Sequence, residues 1–574
     1  MKKEQLGDFF NPYGFVPLSK NVFTMTEREQ KMLQYCHDIP FKDSMSGYFD
    51  VTFEAITPFC VGSRREIEEF TYTDSKKRTL KISKEVGKCP IIGNNYYIPG
   101  SSIKGMIENV FRIISFGKIG EYIDDTRYSV RDLKADSEDY DLNKEGTKSG
   151  FLVKLENDYY ILPCNSYQKT FNEIENITRQ IGIAYALEER GKSIKDKYDF
   201  LRNNYSFIEG NKCYMWLISG HMDSKRHEHL FEVHRNNINK DCFLPVSEAV
   251  WDEFLFIHEQ ENDNKSWKFW KQKLKNYKHI NEIKSDNIHG LAPVFYREDE
   301  NGFVKDFGFS RLYRQPYRKS IHDCLPETHK KDGSIDLAQA VFGYSNKEES
   351  LKGRVRFSHA ICASETKELS PVFITPGSPK ASFYPFYLNQ KSNSSYVTYG
   401  SENAEIQGWK RFLMKDIKEK RELFTNPKIQ SVFRPLQAGT QFTCRITYHN
   451  LRPFELGALL NAIDFFEEDA YHSLGYAKPF GFGKIAVKKM KTSEKEENTR
   501  KIFEEEIEKR TGISVVDEDN KFNAVLSQLL FLASDDYKDS KENRYPYMGN
   551  RRENIPNEFK LIKQQNKNIR NFNP

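Results

Sequence analysis

Residues 96–112 read YYIPGSSIKGMIENVFR, and this stretch decides the interpretation of the whole chain. A short aromatic run ends at Pro99-Gly100, two serines follow, and apolar residues then recur with the spacing of one helical face. Those apolar positions are Ile103, Met106, Ile107, Val110 and Phe111, and Ile114 continues the pattern just beyond the stretch. The pattern predicts a strand, a glycine turn and a helix with one buried face, capped by Ser101 or Ser102.

A glycine turn and a lysine at a helix start raise the question of which phosphate group the segment could bind. A nucleotide P-loop requires G-x-x-x-x-G-K-[ST], whereas here Lys104 precedes Gly105 and Met106 follows it. A second glycine loop, residues 481–484, follows a helix and precedes a strand, which reverses the order of a dinucleotide-binding fingerprint. What remains is a helix N-terminus whose N–H groups and partial positive charge suit a phosphodiester backbone. The alternative is a simple helix start with a solvated Lys104.

Composition narrows the class of protein. The chain has 574 residues and a net charge of only +5, so nucleic-acid binding would have to come from local clusters of charge. Its 43 Phe and 31 Tyr argue against long disordered stretches before the C-terminal end. Nine cysteines without a CxxC motif favour a reducing cytosol over a disulfide framework or zinc finger. With no apolar run long enough for a membrane span, the sequence predicts a soluble cytoplasmic protein.

Strand and helix patterns are mixed along the chain, which predicts the α+β class. Strands are expected in 48–62, 150–164 and 212–223, and helices in 175–190 and 250–285. Residues 337–364 read as a short helix, a loop and a strand, and residues 441–466 as a strand followed by a helix. A modestly basic loop is expected over 62–90. Beyond residue 491 the chain is heavily charged, with one helical patch near 520–533, and its basic, asparagine-rich end is interpreted as a flexible tail.

The order of these segments resembles the RAMP superfamily of CRISPR-associated proteins, especially subunits of type III effector complexes. The supporting stretches are Pro99–Gly105, Phe342-Gly343, Gly353–Ala360, Glu455-Leu456-Gly457 and Gly475–Lys484. The resemblance implies one or two ferredoxin-like, RRM-related βαββαβ domains. The length implies either two such units or one unit interrupted by a large insertion at about 120–335. Within this scheme we expect a lead-in (1–45), a first RAMP domain (46–240), a helical linker (241–285), a second RAMP-like unit (286–490) and a C-terminal extension (491–574).

The resemblance implies a function in antiviral defence. It implies an RNA-binding subunit of a type III CRISPR ribonucleoprotein, with guide RNA, complementary target RNA and other effector subunits as partners. The expected RNA contacts are Gly100, Ser101, Ser102, Lys104, Gly105, Arg314, Arg318, Lys478, Gly481, Gly483 and Lys484. Arg314 and Arg318 alternate with Tyr313 and Tyr317, a pattern typical of single-stranded RNA binding. The alternative for that segment is a solvated basic loop.

Catalysis is left open by the sequence. In type III backbone subunits an aspartate between the first strand and first helix cuts target RNA with a divalent metal, and Asp74 lies in the corresponding loop. The alternative is a loop acid paired with Lys76 or Lys77. Mg²⁺ is expected only if the chain cuts RNA, and no metal ligand is assigned, because His227 and His229 have no cysteine at ligand spacing.

Two further functions stay open. One is a RAMP endoribonuclease that processes precursor guide RNA without metal, with His37, His359 or His472 as general base. The other is a scaffold that recruits another protein to the complex.

Overall fold

The structure is a computed structural model. It describes residues 9–73, 77–123, 125–131, 140, 142, 146–180, 206–218, 227–238, 240–260, 265–283, 285–330, 333–347, 349–377, 381–390, 396–417, 427–536, 545–547, 556–565, 567 and 569–574. The chain forms two compact units. The first combines Met1–Asp125 with Ile321–Pro574, and the second is Thr126–Ser320. The chain is of the mixed α+β class, as predicted.

Seven elements form the centre of the first unit. They are β1 (Met45–Ala55), α1 (Gly100–Ile114), β2 (Val355–Phe357), β3 (Ala360–Cys362), β4 (Gln441–Leu451), α2 (Pro453–Asp464) and β5 (Lys484–Lys491). The main sheet has the order His472–Ser473, β5, β1, β4, β3, Asn95–Ile98 and Ile91–Ile92, with β2 also paired to β4. The β5–β1, β1–β4, β4–β2 and β4–β3 pairs are antiparallel.

The core of the first unit is formed by apolar residues that repeat every second position in strands and every third or fourth position in helices. Along β1 the buried residues alternate as Phe49, Val51, Phe53 and Ala55, so one face of the strand is apolar. All six apolar positions predicted for α1 are buried, and α2 is buried along nearly its whole length. These side chains belong to one hydrophobic cluster. The predicted helix after Pro99 and the predicted strand and helix in 441–466 are therefore confirmed.

The predicted loop over 62–90 is wrong. Residues Arg64–Thr73 and Thr79–Lys88 form an antiparallel hairpin. It continues a sheet with Ser431–Phe433 and Val372–Ile374, in which Val86 and Val432 are buried against each other. Dense charge hid the alternation in the sequence, because charged side chains here pair across strands, as Arg65 Nη1 and Glu85 Oε1 do at 2.9 Å.

The remaining elements of the first unit are short. The strand pairs are Phe9–Phe10 with Ile569–Arg570, Gly14–Val16 with Trp409–Arg411, and Gly343–Ser345 with Ser350–Lys352. The helices are Glu27–Leu33, Leu337–Phe342, Tyr384–Tyr387, Glu494–Glu497, Thr499–Thr511, Ala524–Ala533 and Glu558–Gln565.

At the C-terminal end, the prediction of a flexible tail is wrong for the described residues, because Ile562 of helix Glu558–Gln565 is fully buried, whereas helix Ala524–Ala533 confirms the helical patch predicted near 520–533. Phe503 and Ile507 of helix Thr499–Thr511 are fully buried in the core cluster, and so are Leu526 and Leu532 of helix Ala524–Ala533. In helix Thr499–Thr511, many charged residues surround a narrow apolar face, so the sequence gives little sign that the helix is buried. This face packs because the rest of the first unit supplies an apolar surface for it.

The second unit is built on an antiparallel sheet with one parallel pair at its side. Its order is Ser206–Glu209, Lys212–Leu217, His227–His234, Asp158–Thr170, Lys148–Leu155, Ala292–Glu298 and Val304–Gly308. Leu244–Val246 pairs with Asp158–Thr170, Asn276–Tyr277 pairs in parallel with Lys148–Leu155, and Arg127–Val130 pairs with Gln315–Ser320. The helices are Phe171–Gln180, Glu248–Leu255 and Lys265–Lys273, with a π-helical turn at Phe256–Gln260.

Two of the helices predicted from the sequence fall within the second unit. The single helix expected over 250–285 is wrong, since two short helices occupy this region. The helix expected over 175–190 overlaps Phe171–Gln180, and residues 181–190 lie outside the described residues. The five-part division of the chain stays a prediction. Within the described residues, no helix combines the length and apolar character that crossing a membrane requires.

Candidate functional site

A cleft of about 420 Å³ in the first unit brings together segments that are far apart in the sequence. Its lining residues are Ser102, Gly105, Met106 and Asn109 of α1, then Lys410, Arg411 and Phe412, and finally His472, Ser473, Leu474 and Lys478. The helix of the PGSSIKG motif thus shares a cavity with the segment that leads into the second glycine loop. No acidic residue is among the lining residues.

Arg411 is the most deeply placed cation of the cleft. Arg411 is only 8% exposed, and its Nη1 donates to Asn109 Oδ1 on α1 at 2.7 Å. Burial lowers the pKa of this guanidinium to about 10. Strand pairing with Gly14 holds its backbone in place. Among the described residues, the guanidinium has no carboxylate partner and no other hydrogen-bond acceptor.

Lys478 lies close enough to Arg411 to be repelled by it. Burial lowers the pKa of the Lys478 ammonium, and the charge of Arg411 lowers it further. Its Nζ lies 5.6 Å from the centre of the Phe412 ring. Within the described part of the chain, it forms no ion pair with a carboxylate. The cleft therefore holds two neighbouring cations whose charge nothing described in the protein neutralises.

Lys410 also lines the cleft, but its ammonium lies among aromatic rings. Nζ is 3.5 Å from the centre of the Tyr13 ring and donates to Tyr387 Oη at 2.9 Å. Burial lowers its pKa to about 8. We assign Lys410 a supporting role at the edge of the cleft.

His472 is buried and neutral. Its Nε2 donates to Ile463 O at 2.7 Å, and its buried Nδ1 has no hydrogen-bond partner among the described residues. Burial is the main cause that lowers its pKa to about 4, and the charge of Arg411 acts in the same direction. A buried ring that is already bonded to a carbonyl does not offer a solvent-accessible general base.

His472 makes the first unit sensitive to acid. Its pKa is about 4 in the folded protein and about 6.5 when unfolded, so the unfolded chain binds more protons between these values. Its contribution is fully present above pH 6.5 and is lost as the pH falls to 4, by about 3 kcal/mol. The groups that face the His472 ring are Arg411, Ile463 O and the Phe465 ring.

The measurement is urea unfolding of wild type and His472→Gln at pH 7 and pH 4. The wild type is expected to lose more stability than the variant over this range, because glutamine keeps an N–H donor but does not titrate. Equal losses in the two proteins would contradict a depressed His472 pKa.

The predicted cap of α1 is wrong. Pro99 is the N-cap residue, the helix begins at Gly100, and neither serine side chain caps it. The N–H of Gly100 donates to His359 Nδ1 at 3.1 Å, and those of Ser102 and Ile103 donate to Pro99 O at 2.9 and 3.2 Å. The histidine and the proline carbonyl thus satisfy the groups that the serines were expected to satisfy.

The two glycines of the motif have different surroundings. A Cβ on Gly100 would lie 2.2 Å from Phe357 O, so this position needs glycine because the backbone of β2 passes close by. A Cβ on Gly105 would meet nothing within 4 Å. Gly105 is exposed and lines the cleft. Ser101 is exposed at the helix start, and Lys104 Nζ donates to Phe342 O at 3.0 Å, at the end of helix Leu337–Phe342.

Gly481 and Gly483 lie in the turn before β5, and Lys484 is the first residue of that strand. The two glycines have φ of +87° and +76°, and their N–H groups donate to Lys478 O and Pro58 O, both at 3.1 Å. Lys484 is buried and forms an ion pair with Asp535. The interpretation of these residues as RNA contacts stays a prediction, and we place no phosphate on amides that already bond to carbonyls.

Arg314 and Arg318 lie in the second unit. Both are exposed, and Arg314 Nη1 donates to Ser129 Oγ at 3.2 Å. The neighbouring Tyr313 and Tyr317 are 3% and 4% exposed. The expectation that these rings stack under RNA bases is therefore wrong, because both rings are needed to fill the interior of the second unit.

Among the candidate catalytic residues that the structure describes, none belongs to an assembled catalytic site. Asp74 lies outside the described residues. His37 Nε2 bonds to Lys352 O at 2.8 Å, and His359 and His472 are engaged as described above. His227 and His229 lie on one strand with ring centres 5.7 Å apart. Within the described ranges, no group of three or more His, Cys, Asp or Glu residues is arranged to hold a metal ion.

Sequence reasoning missed Arg411 and Asn109. The signal for Arg411 was available in GWKRF (408–412), where two basic residues stand between aromatic ones. Nothing in the sequence places that stretch beside α1, however. Asn109 gave no signal, since a single polar residue on a helix is unremarkable.

No protein-family model matches the chain, and no curated protein matches it. Among solved structures, the crystal structure of Thermofilum pendens Csc2 is similar, with 14% sequence identity and a TM-score of 0.13. The similarity covers 30% of this chain and 43% of that chain, so the matched region spans less than half of the Csc2 chain. At this TM-score the similarity does not define the fold of this chain.

Proposed function

We propose that the chain is a cytoplasmic RAMP-type subunit of a type III CRISPR ribonucleoprotein that holds guide RNA by its backbone. The observation that carries the proposal is the cationic cleft. Two segments that resemble RAMP signatures, Pro99–Gly105 and Gly475–Lys484, contribute to its walls together with Arg411. RNA of any sequence has phosphates, so such a surface suits binding by backbone.

The order of strands in the first unit supports a ferredoxin-like domain. In sequence order the central elements are β1, α1, β2 with β3, β4, α2 and β5. In the sheet, β5 is followed by β1, β4 and then β2 or β3, all antiparallel. This is the 4-1-3-2 arrangement of a βαββαβ unit. The second unit, Thr126–Ser320, enters the chain between α1 and β2, which favours one interrupted domain over two separate ones.

The test is to purify the chain from its native host and sequence the RNA that accompanies it. Short RNAs of uniform length with a repeat-derived end are expected, together with other effector subunits. The affinity for single-stranded RNA should fall as the salt concentration rises. In a plot of the logarithm of the binding constant against the logarithm of the salt concentration, the slope should be roughly −0.7 per phosphate contact. Random fragments or no RNA would contradict the proposal and favour the scaffold.

Cleavage of target RNA by Asp74 stays a hypothesis. It rests on the sequence resemblance alone, and it requires Mg²⁺. Target RNA should be cut by wild type with Mg²⁺ and left intact by Asp74→Ala, whereas unchanged cutting by the variant would end the hypothesis.

A further inference from the structure

We propose that the cleft is a specific site for a phosphate monoester, carried either by the end of an RNA strand or by a free mononucleotide. Arg411 and Lys478 would bind the phosphate, and Gly105 would leave room for it against α1. The RNA source rests on the proposed function, whereas the phosphate chemistry does not.

Uncompensated charge is the first reason. Arg411 is 8% exposed, and within the described residues neither it nor Lys478 has a carboxylate partner. Elsewhere in the same unit, the buried Arg354 is paired with Glu455 and the partly buried Arg500 with Asp464. Burying like charges side by side is costly, and a bound anion offsets this cost.

The orientation of Arg411 is the second reason. Asn109 Oδ1 holds one side of the guanidinium at 2.7 Å, and the remaining N–H donors bond to no described residue. A guanidinium has five donors in a planar fork that matches two oxygens of a phosphate. Since Asn109 lies on the helix wall of the cleft, the fork is fixed before any ligand arrives.

Gly105 is the third reason. Glycine inside a helix costs up to about 1 kcal/mol relative to alanine. At Gly100 the close backbone explains this cost, but a Cβ on Gly105 would contact nothing within 4 Å, and Gly105 does not have a positive φ. The protein itself therefore does not require glycine there. An open wall between Ser102 and Asn109 is what a ligand in the cleft would require.

Charge balance selects the monoester. A phosphate monoester carries about −1.5 to −2 at pH 7, whereas an internal phosphodiester carries −1. Arg411 and Lys478 together supply +2 when both are protonated, Lys410 with its pKa of about 8 adds a further positive charge at the edge of the cleft, and His472 is neutral at pH 7. A dianion neutralises the pair, and the hydroxyl-bearing Ser102 and Ser473 also line the cleft.

The first experiment uses the full chain and measures binding of inorganic phosphate, 5′-AMP and adenosine by calorimetry. Wild type is expected to bind phosphate and AMP but not adenosine. Arg411→Gln should weaken AMP binding by about tenfold or more, the usual effect of losing one charged hydrogen bond. Arg445→Gln is the matched control, because Arg445 is exposed and paired with Asp50 at 2.8 Å.

Gly105 variants keep the test valid if Arg411→Gln fails to fold. Gly105→Glu places a carboxylate in the cleft, and Gly105→Gln places a neutral side chain of the same size there. The glutamate should weaken AMP binding well beyond the glutamine. Absence of phosphate and AMP binding by wild type, or equal losses in Arg445→Gln and Arg411→Gln, would overturn the site.

A second experiment separates this inference from the proposed function. It compares one RNA 10-mer with a 5′-phosphate, a 3′-phosphate or hydroxyl ends only. Tighter binding of a phosphorylated end that Arg411→Gln abolishes identifies the RNA end as the source. Binding of AMP without any RNA binding identifies a free nucleotide and contradicts the proposed function alone. RNA binding that ignores end phosphates, in a protein that binds no AMP, overturns the cleft inference alone.

Discussion

Glu455→Gln is expected to destabilise the first unit by roughly 3–5 kcal/mol, because it leaves the buried charge of Arg354 unpaired. Both side chains are fully buried. Two hydrogen bonds join them, Nη1 to Oε2 at 2.8 Å and Nη2 to Oε1 at 2.6 Å. Arg354 also donates to Ala340 O and Asn450 O, which fixes it in place, so it cannot turn toward solvent when the carboxylate is lost. Urea unfolding of the two proteins measures the difference.

The matched control is Asp50→Asn, which removes a carboxylate from a pair that is joined by similar hydrogen bonds. Asp50 and Arg445 are joined at 2.8 and 3.0 Å but lie at the surface, where such a pair contributes at most about 1 kcal/mol. If both substitutions cost the same, burial is not the source of the effect. Retention of full stability by Glu455→Gln would contradict an ionic role for the buried pair.

The same substitution at the two glycines of PGSSIKG is expected to have opposite effects. Gly100→Ala should destabilise the protein by about 3 kcal/mol, because its Cβ would lie 2.2 Å from Phe357 O and 2.8 Å from Ser358 O, and backbone atoms cannot move aside cheaply. Gly105→Ala should stabilise it by roughly 0.5–1 kcal/mol, because its Cβ meets nothing and alanine favours the helix. Thermal and urea unfolding of both variants give the two signs.

Each of the two expected stability changes can be contradicted by its own result. A neutral Gly100→Ala would mean that β2 and the start of α1 are further apart than described. A destabilised Gly105→Ala would mean that something in the protein contacts that position, which would also remove one reason for the phosphate site.

Local periodicity explains which elements were predictable. The six apolar positions of α1 repeat every three or four residues, and those of β1 every second residue, so their buried faces follow from neighbouring residues alone. The hairpin at 64–88 and the helix Thr499–Thr511 were missed for the converse reason. Their apolar positions are few and stand among charges, and they pack because distant segments provide the facing surface.

Charged residues show the limit of the sequence most clearly. Lys104, Lys478 and Lys484 looked alike as lysines of the two glycine-containing motifs, yet Lys104 bonds to a helix end and Lys484 pairs with Asp535, whereas Lys478 lies near Arg411 with no carboxylate partner among the described residues. A sequence gives the charge of a side chain but not its partner, because pairing depends on contacts across hundreds of residues. Residues 96–112 sufficed to define α1 and its buried face, since a helix is made of local contacts. The cationic cleft exists only in the folded first unit, where α1, Arg411 and Lys478 meet.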